Sequence, residues 1–129
     1  MKIIILQHIK IEDPGYIKDL MLLDGVNLTT IELDEGDKIP RDLSEFDAMF
    51  CMGGPMDTWM EKDYPWLIEE KKKIKEFVVD LNKPYLGFCL GFIRCKLIVK
   101  FIFISCAFYF IEKNVFLTDV GIVVGHLFC

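Results

Sequence analysis

Apolar residues in the first 91 positions come in short dense runs separated by polar or glycine-bearing breaks, and the period changes from one run to the next. Residues 2–6, KIIIL, hold three consecutive β-branched isoleucines followed by leucine. This predicts a strand buried on both faces of a parallel sheet. Residues 15–25, GYIKDLMLLDG, place apolar side chains at 16, 17, 20, 21, 22 and 23 and reach Gly25, a helix with a glycine stop. NLTTIEL (27–33) predicts a second strand, followed by the polar loop DEGDKIPRD (34–42), and AMFCM (48–52) predicts a third that GGP breaks.

The clearest helix lies within YPWLIEEKKKIKEFVVD (64–80), with proline near its start, acids in its early turns and Leu67, Ile74, Phe77 and Val78 on one face. YLGF (85–88) then begins a fourth strand. The order strand, helix, strand, strand, helix, strand predicts an α/β fold: a right-handed, mostly parallel sheet flanked by helices, with chemistry at the carboxyl ends of the strands. Both glycine-bearing breaks, 53–55 and 87–91, fall at such ends.

Composition limits the rest. A chain of 129 residues, 53% hydrophobic, accommodates one domain or part of one. The net charge of -5, with Lys71, Lys72 and Lys73 set beside Glu69, Glu70 and Glu76, argues against a nucleic-acid partner. Five cysteines form no CxxC pair, and the N-terminus lacks a small-residue cleavage site; the expectation is a reducing cytoplasm. No phosphate-binding P-loop is visible and no cofactor is expected. At residue 92 the composition changes to a divergent hydrophobic tail, 92–129, dominated by Phe, Ile, Val, Leu and Lys and free of proline. A shifted reading frame is one explanation. Its longest apolar run, Leu97 to Ile111, whose only charge is Lys100, is shorter than the roughly 20 residues of a membrane-spanning helix, so a membrane span is disfavoured.

Two motifs carry candidate chemistry. GFCLG (87–91) has the nucleophile-elbow pattern with cysteine in the serine position, directly after a predicted strand. Such a turn lifts Cys89 out of the core, and a helix starting behind it would favour the thiolate. The competing reading makes Cys89 a small buried residue in a glycine-rich turn, as free cysteines usually are. MGGPMD (52–57), at the end of the preceding strand, tips the balance: consecutive glycines can turn a backbone N–H toward the neighbouring strand end and help build an oxyanion hole.

GGPMD, the long helix, KPYLG and GFCLG, in this order, resemble the class I glutamine amidotransferase domain, and the opening LQHIKIEDPGYI is similar to its stand-alone members related to the glutaminase domain of GMP synthase. The resemblance covers residues 1–91 and implies the flavodoxin-like fold of that family, here in its N-terminal portion. It makes Cys89 the nucleophile that attacks glutamine, forms a γ-glutamyl thioester and releases ammonia. Gly54 and Leu90 would supply oxyanion-hole N–H groups, and Gly53, Pro55 and Met56 would flank the glutamine. An ammonia-accepting synthetase is the implied partner.

The match stops after Gly91. Phe92 and Ile93 stand where the family continues toward glutamine, and the family's His-x-Glu is absent, since His126 is followed at 128 by Phe. Losing a general base removes a factor of about 10²–10⁴, so the expectation is weak or absent turnover with thioester formation retained. The alternative is an inactive remnant or a glutamine-binding regulatory module. His8, just past the first strand, reads as a polar loop histidine in preference to a substitute base. A thiol sensor built on Cys89 is a further reading that GGP counts against.

Overall fold

The structure, a computed structural model, describes residues 1–90 and the backbone of 122–125. Four parallel strands, β1 (Lys2–Gln7), β2 (Asn27–Glu32), β3 (Ala48–Cys51) and β4 (Tyr85–Phe88), lie in the order β2-β1-β3-β4, and β5 (Ile122–Gly125) adds antiparallel to β4. Helix α1 (Tyr16–Leu23) joins β1 to β2, and α2 (Trp66–Lys75) with a π-helical turn (Glu76–Asp80) joins β3 to β4. The α/β sheet is the one that the apolar runs predict, with strand limits moved by one residue.

Alternation across the central strands builds two cores. Ile4 and Leu6 of β1, Met49 and Cys51 of β3 and Tyr85 of β4 share one face with Ile74, Phe77 and Val78. Ile3, Ile5, Phe50 and Leu86 share the other with Met21 of α1. Ile4, Ile5 and Leu6 are fully buried, as expected of a strand covered on both sides. The connection after β2 contributes Leu33, Ile39, Leu43 and Phe46 to the first core. It is held there by Lys83, whose Nζ donates to the carbonyls of Ser44 (2.5 Å) and Phe46 (2.6 Å).

The helices differ from expectation in detail. α1 buries Met21 but leaves Tyr16, Leu22 and Leu23 exposed. It ends as predicted at Gly25, whose φ of 73° permits the turn in which Gly25 N–H bonds Leu22 O and Val26 N–H bonds Met21 O. The predicted 64–80 helix is α-helical only to Lys75; beyond it the backbone widens, and Leu81 N–H reaches the carbonyl of Glu76 at 2.9 Å. Leu67, Ile74, Phe77 and Val78 nevertheless keep the predicted buried stripe. Burying each large apolar side chain is worth about 1.5–3 kcal/mol, enough to hold a helix whose exposed face is mostly lysine and glutamate.

The tail beyond Gly91 lies outside the described residues apart from β5, and with it Phe92, Ile93, the 97–111 run and His126. No helix among the described residues is long and apolar enough to cross a membrane.

Candidate functional site

Because the first four strands run parallel, the carboxyl ends of β1, β3 and β4 meet at one edge. β1 connects onward to β2 on one side and β3 to β4 on the other, so the strand order reverses between β1 and β3, the place in an open parallel sheet where ligands commonly bind. His8 follows β1, the Gly53–Gly54 turn follows β3, and Cys89 follows β4.

Cys89 is exposed and has φ 47°, a left-handed conformation that costs a side-chain-bearing residue free energy. Asn82, at φ 51° after the π-helical turn, is the one other non-glycine with positive φ among the described residues, and asparagine tolerates that region. For cysteine the conformation is the strained strand-to-helix turn of an elbow, and helical backbone resumes at Leu90.

The two glycine-bearing turns touch. A β-carbon added to Gly53 would lie 3.5 Å from Cys89 Cβ and would run into the carboxylate of Glu12. One added to Gly54 would collide with Met56 Sδ and lie 3.2 Å from His8 Cβ and 3.4 Å from Leu90 Cδ2. Of the two positions, Gly54 is the one where a side chain would meet fixed neighbours, since at Gly53 the short contact is with the end of the flexible Glu12 side chain. Pro55 is exposed, whereas Met56 is buried with Leu67 and Leu90 and supports the turn from beneath. Gly91, the second glycine of the elbow, falls outside the described residues.

His8 departs from the sequence reading. It is fully buried, stacked on Trp66 at 5.3 Å, and is no solvated loop residue. Its Nδ1 lies 2.8 Å from the Gly53 carbonyl and its Nε2 lies 2.6 Å from Glu70 Oε1. A carbonyl can only accept, so Nδ1 carries a proton. The Nε2–Oε1 bond then contains one proton, giving either an imidazolium with a carboxylate or a neutral pair. Cys51 Sγ donates to the same Glu70 oxygen at 3.2 Å. With both ring nitrogens engaged, His8 is not positioned as a base for Cys89.

His8, Cys51 and Glu70 form a set of potential metal ligands. Two ligand atoms 2.6 Å apart are too close for a tetrahedral ion with bonds of about 2.0–2.2 Å, which separates its ligands by roughly 3.4 Å. The spacing fits a shared proton. A cavity of about 290 Å³ beside Trp66, lined by Leu33, Asp37, Lys38, Ile39 and Glu69, does not include Cys89 in its wall.

Comparison with solved structures gives consistent matches. A glutamine amidotransferase of Thermotoga maritima superposes with a TM-score of 0.71 and 26% identity over 76% of this chain and 42% of that one. A glutamine amido transferase of Methylobacillus flagellatus gives 0.65 and 26% over 77% and 37%. The chain is similar to the N-terminal part of glutamine amidotransferases. SMU.1228c also matches, with a TM-score of 0.64 and 29% identity over 70% of this chain and 40% of that one. The amidotransferase-like chain thus spans about two fifths of the length of these structures. No family model matches the sequence, and no curated protein matches it significantly.

Sequence reasoning missed Glu70, Glu12 and the burial of His8. Glu70 did leave a signal: it lies three residues after Leu67 and four before Ile74, on the buried stripe of α2. A glutamate there requires a partner.

Proposed function

We propose that this chain carries the nucleophile-bearing part of a class I glutamine amidotransferase site. The observation that supports it most is the left-handed, exposed Cys89 at the end of β4, packed against the Gly53–Gly54 turn at the end of β3. In this reading residues 1–91 are the N-terminal part of the domain and 92–129 a divergent tail, for which a shifted frame is one explanation.

Cys89 Sγ, as thiolate, attacks the side-chain amide carbon of glutamine. The C–S bond forms, and the carbonyl π electrons move onto oxygen, which accepts hydrogen bonds donated by the N–H groups of Gly54 and Leu90. Gly53, Pro55 and the backbone beside Met56 border the glutamine. Collapse of the intermediate breaks the C–N bond and releases ammonia once solvent water has protonated its nitrogen. The γ-glutamyl thioester then takes up water to give glutamate and free Cys89. Membership of the stand-alone subgroup related to the glutaminase domain of GMP synthase, a cytoplasmic location and an ammonia-accepting synthetase partner belong to the same proposal.

Thioester formation draws mainly on the elbow and the turn, since cysteine is the side chain that needs a base least. Turnover needs a proton donor and a base that His8, engaged at both nitrogens, does not provide. This favours, as a second reading, glutamine capture without turnover.

The test is an electrophilic glutamine analogue. Stoichiometric labelling at Cys89, abolished by Cys89→Ala, is expected, and equal labelling of wild type and variant would refute the site. Glutamate release at a steady rate would distinguish the first reading from the second.

A further inference from the structure

The glutaminase reading uses the N–H groups of the GGP turn but leaves open what aims them. We infer that the buried His8–Glu70 pair is a positioning device for that turn, holding the Gly53 carbonyl inward so that the following peptide presents the Gly54 N–H to the substrate. The inference rests on the proposed amidotransferase site.

Three observations carry it. The Gly53 carbonyl accepts from His8 Nδ1 at 2.8 Å. That carbonyl and the Gly54 N–H belong to one planar peptide. Because the carbonyl and N–H of a trans peptide point in opposite directions, fixing the oxygen toward His8 turns the N–H away from it. The imidazole itself is fixed on its remaining sides, by Glu70 at Nε2 and by stacking on Trp66. Both partners of the pair are fully buried, with side-chain exposures of 0%, so neither bond competes with water. Cys51 donates to the same Glu70 oxygen, completing a chain from β3 through α2 to the loop after β1.

The cost of this arrangement indicates that it is built for more than packing. A histidine and a glutamate taken wholly out of water are expensive, and apolar residues of similar volume would commonly stabilise the core as well or better. What apolar residues cannot do is hold a carbonyl by its lone pair. Gln7 reinforces the same loop, its Nε2 donating to the carbonyls of Ile9 and Lys10 at 3.2 Å each. His8 and Glu70 touch no reacting atom in this scheme and are positioning residues.

The experiment compares two reagents at Cys89 in the full chain, read by mass spectrometry of the Cys89 peptide. An electrophilic ketone analogue of glutamine needs the oxyanion-binding turn, whereas iodoacetamide alkylates the thiol without it. His8→Ala is expected to lower the analogue rate about 10- to 100-fold while changing the iodoacetamide rate less than about threefold. His8→Asn, whose side-chain amide can still donate to the Gly53 carbonyl, should recover most of that loss. Ile74→Val, a core change four residues from Glu70, should leave the ratio of the two rates as in wild type.

If His8→Ala labels with the wild-type ratio, or if His8→Asn fails to recover what His8→Ala loses, the positioning role is overturned. If neither His8 variant folds, His8 serves core stability and the role is overturned likewise. Absence of analogue labelling in wild type would be a different failure: it removes the amidotransferase reading itself, and this inference with it.

Discussion

At Cys89 the backbone and the side chain make opposite demands. A φ of 47° costs a residue with a β-carbon about 1–2 kcal/mol, a strain that glycine would avoid while giving up the thiol. Cys89→Gly should therefore be about 1 kcal/mol more stable to urea than Cys89→Ala, which keeps the strain, and neither should accept the glutamine analogue. Equal stability would mean that the turn relaxes and no strain is held there. The neighbouring glycines separate by what faces them. Alanine at 53 meets the end of the flexible Glu12 side chain, which can swing away, whereas alanine at 54 meets the β-carbon of the fixed His8 at 3.2 Å. Gly54→Ala should cost about 1–3 kcal/mol by overpacking and Gly53→Ala less than about 1 kcal/mol, measured by denaturant unfolding.

Among the elements, the loop between β2 and β3 is the one whose organisation a hydropathy pattern conveys least. It reads as polar, yet Leu33, Ile39, Leu43 and Phe46 anchor it in the core. Local polar contacts shape it: Asp42 Oδ1 accepts from Ser44 N–H at 2.8 Å. The bonds from Ser44 hold the Asp42 carboxyl below its usual value of 3.8. A depressed carboxyl stabilises the fold above its unfolded pKa, and the benefit is lost as pH falls through the folded value. The stability gap between wild type and Asp42→Asn should accordingly be constant from about pH 7 to about pH 5 and shrink only below pH 3.8. A gap that persists undiminished to more acid pH would assign it to the loop geometry alone. The strands and the α2 stripe were legible because continuous apolar runs and residues 67, 74, 77 and 78 leave few other ways to bury that surface. The elbow was legible as a glycine-spaced motif. The His8–Glu70 bond was not, since residues 62 positions apart meet only once the sheet order is known. The π-helical turn was also hidden, because the same four apolar residues would share a face of a regular helix.

On the scale of the molecule, the question is how the sheet of a chain that covers about two fifths of the length of its structural neighbours closes its β4 side. The four parallel strands alone would leave β4 with unpaired N–H and C=O groups beside an apolar face, a template for joining another chain. β5 answers this by pairing antiparallel along the whole of β4, Tyr85 opposite Gly125 through Phe88 opposite Ile122. The pattern of the tail gave no sign of it, because an apolar run without alternation does not declare a period. Successive N–H groups along a strand point to opposite sides, so one of Val123 and Val124 must direct its N–H at β4. The double substitution Val123→Pro with Val124→Pro removes that donor whichever it is and inserts two rings that a ladder does not tolerate. We expect the variant to self-associate at concentrations where wild type does not, measured by sedimentation, and to lose hydrogen-exchange protection in Tyr85–Phe88 before β1. If sedimentation and β4 protection are unchanged, β5 does not guard that edge. If β4 is deprotected while the chain stays monomeric, the ladder is real and the edge is kept from self-pairing by something other than β5.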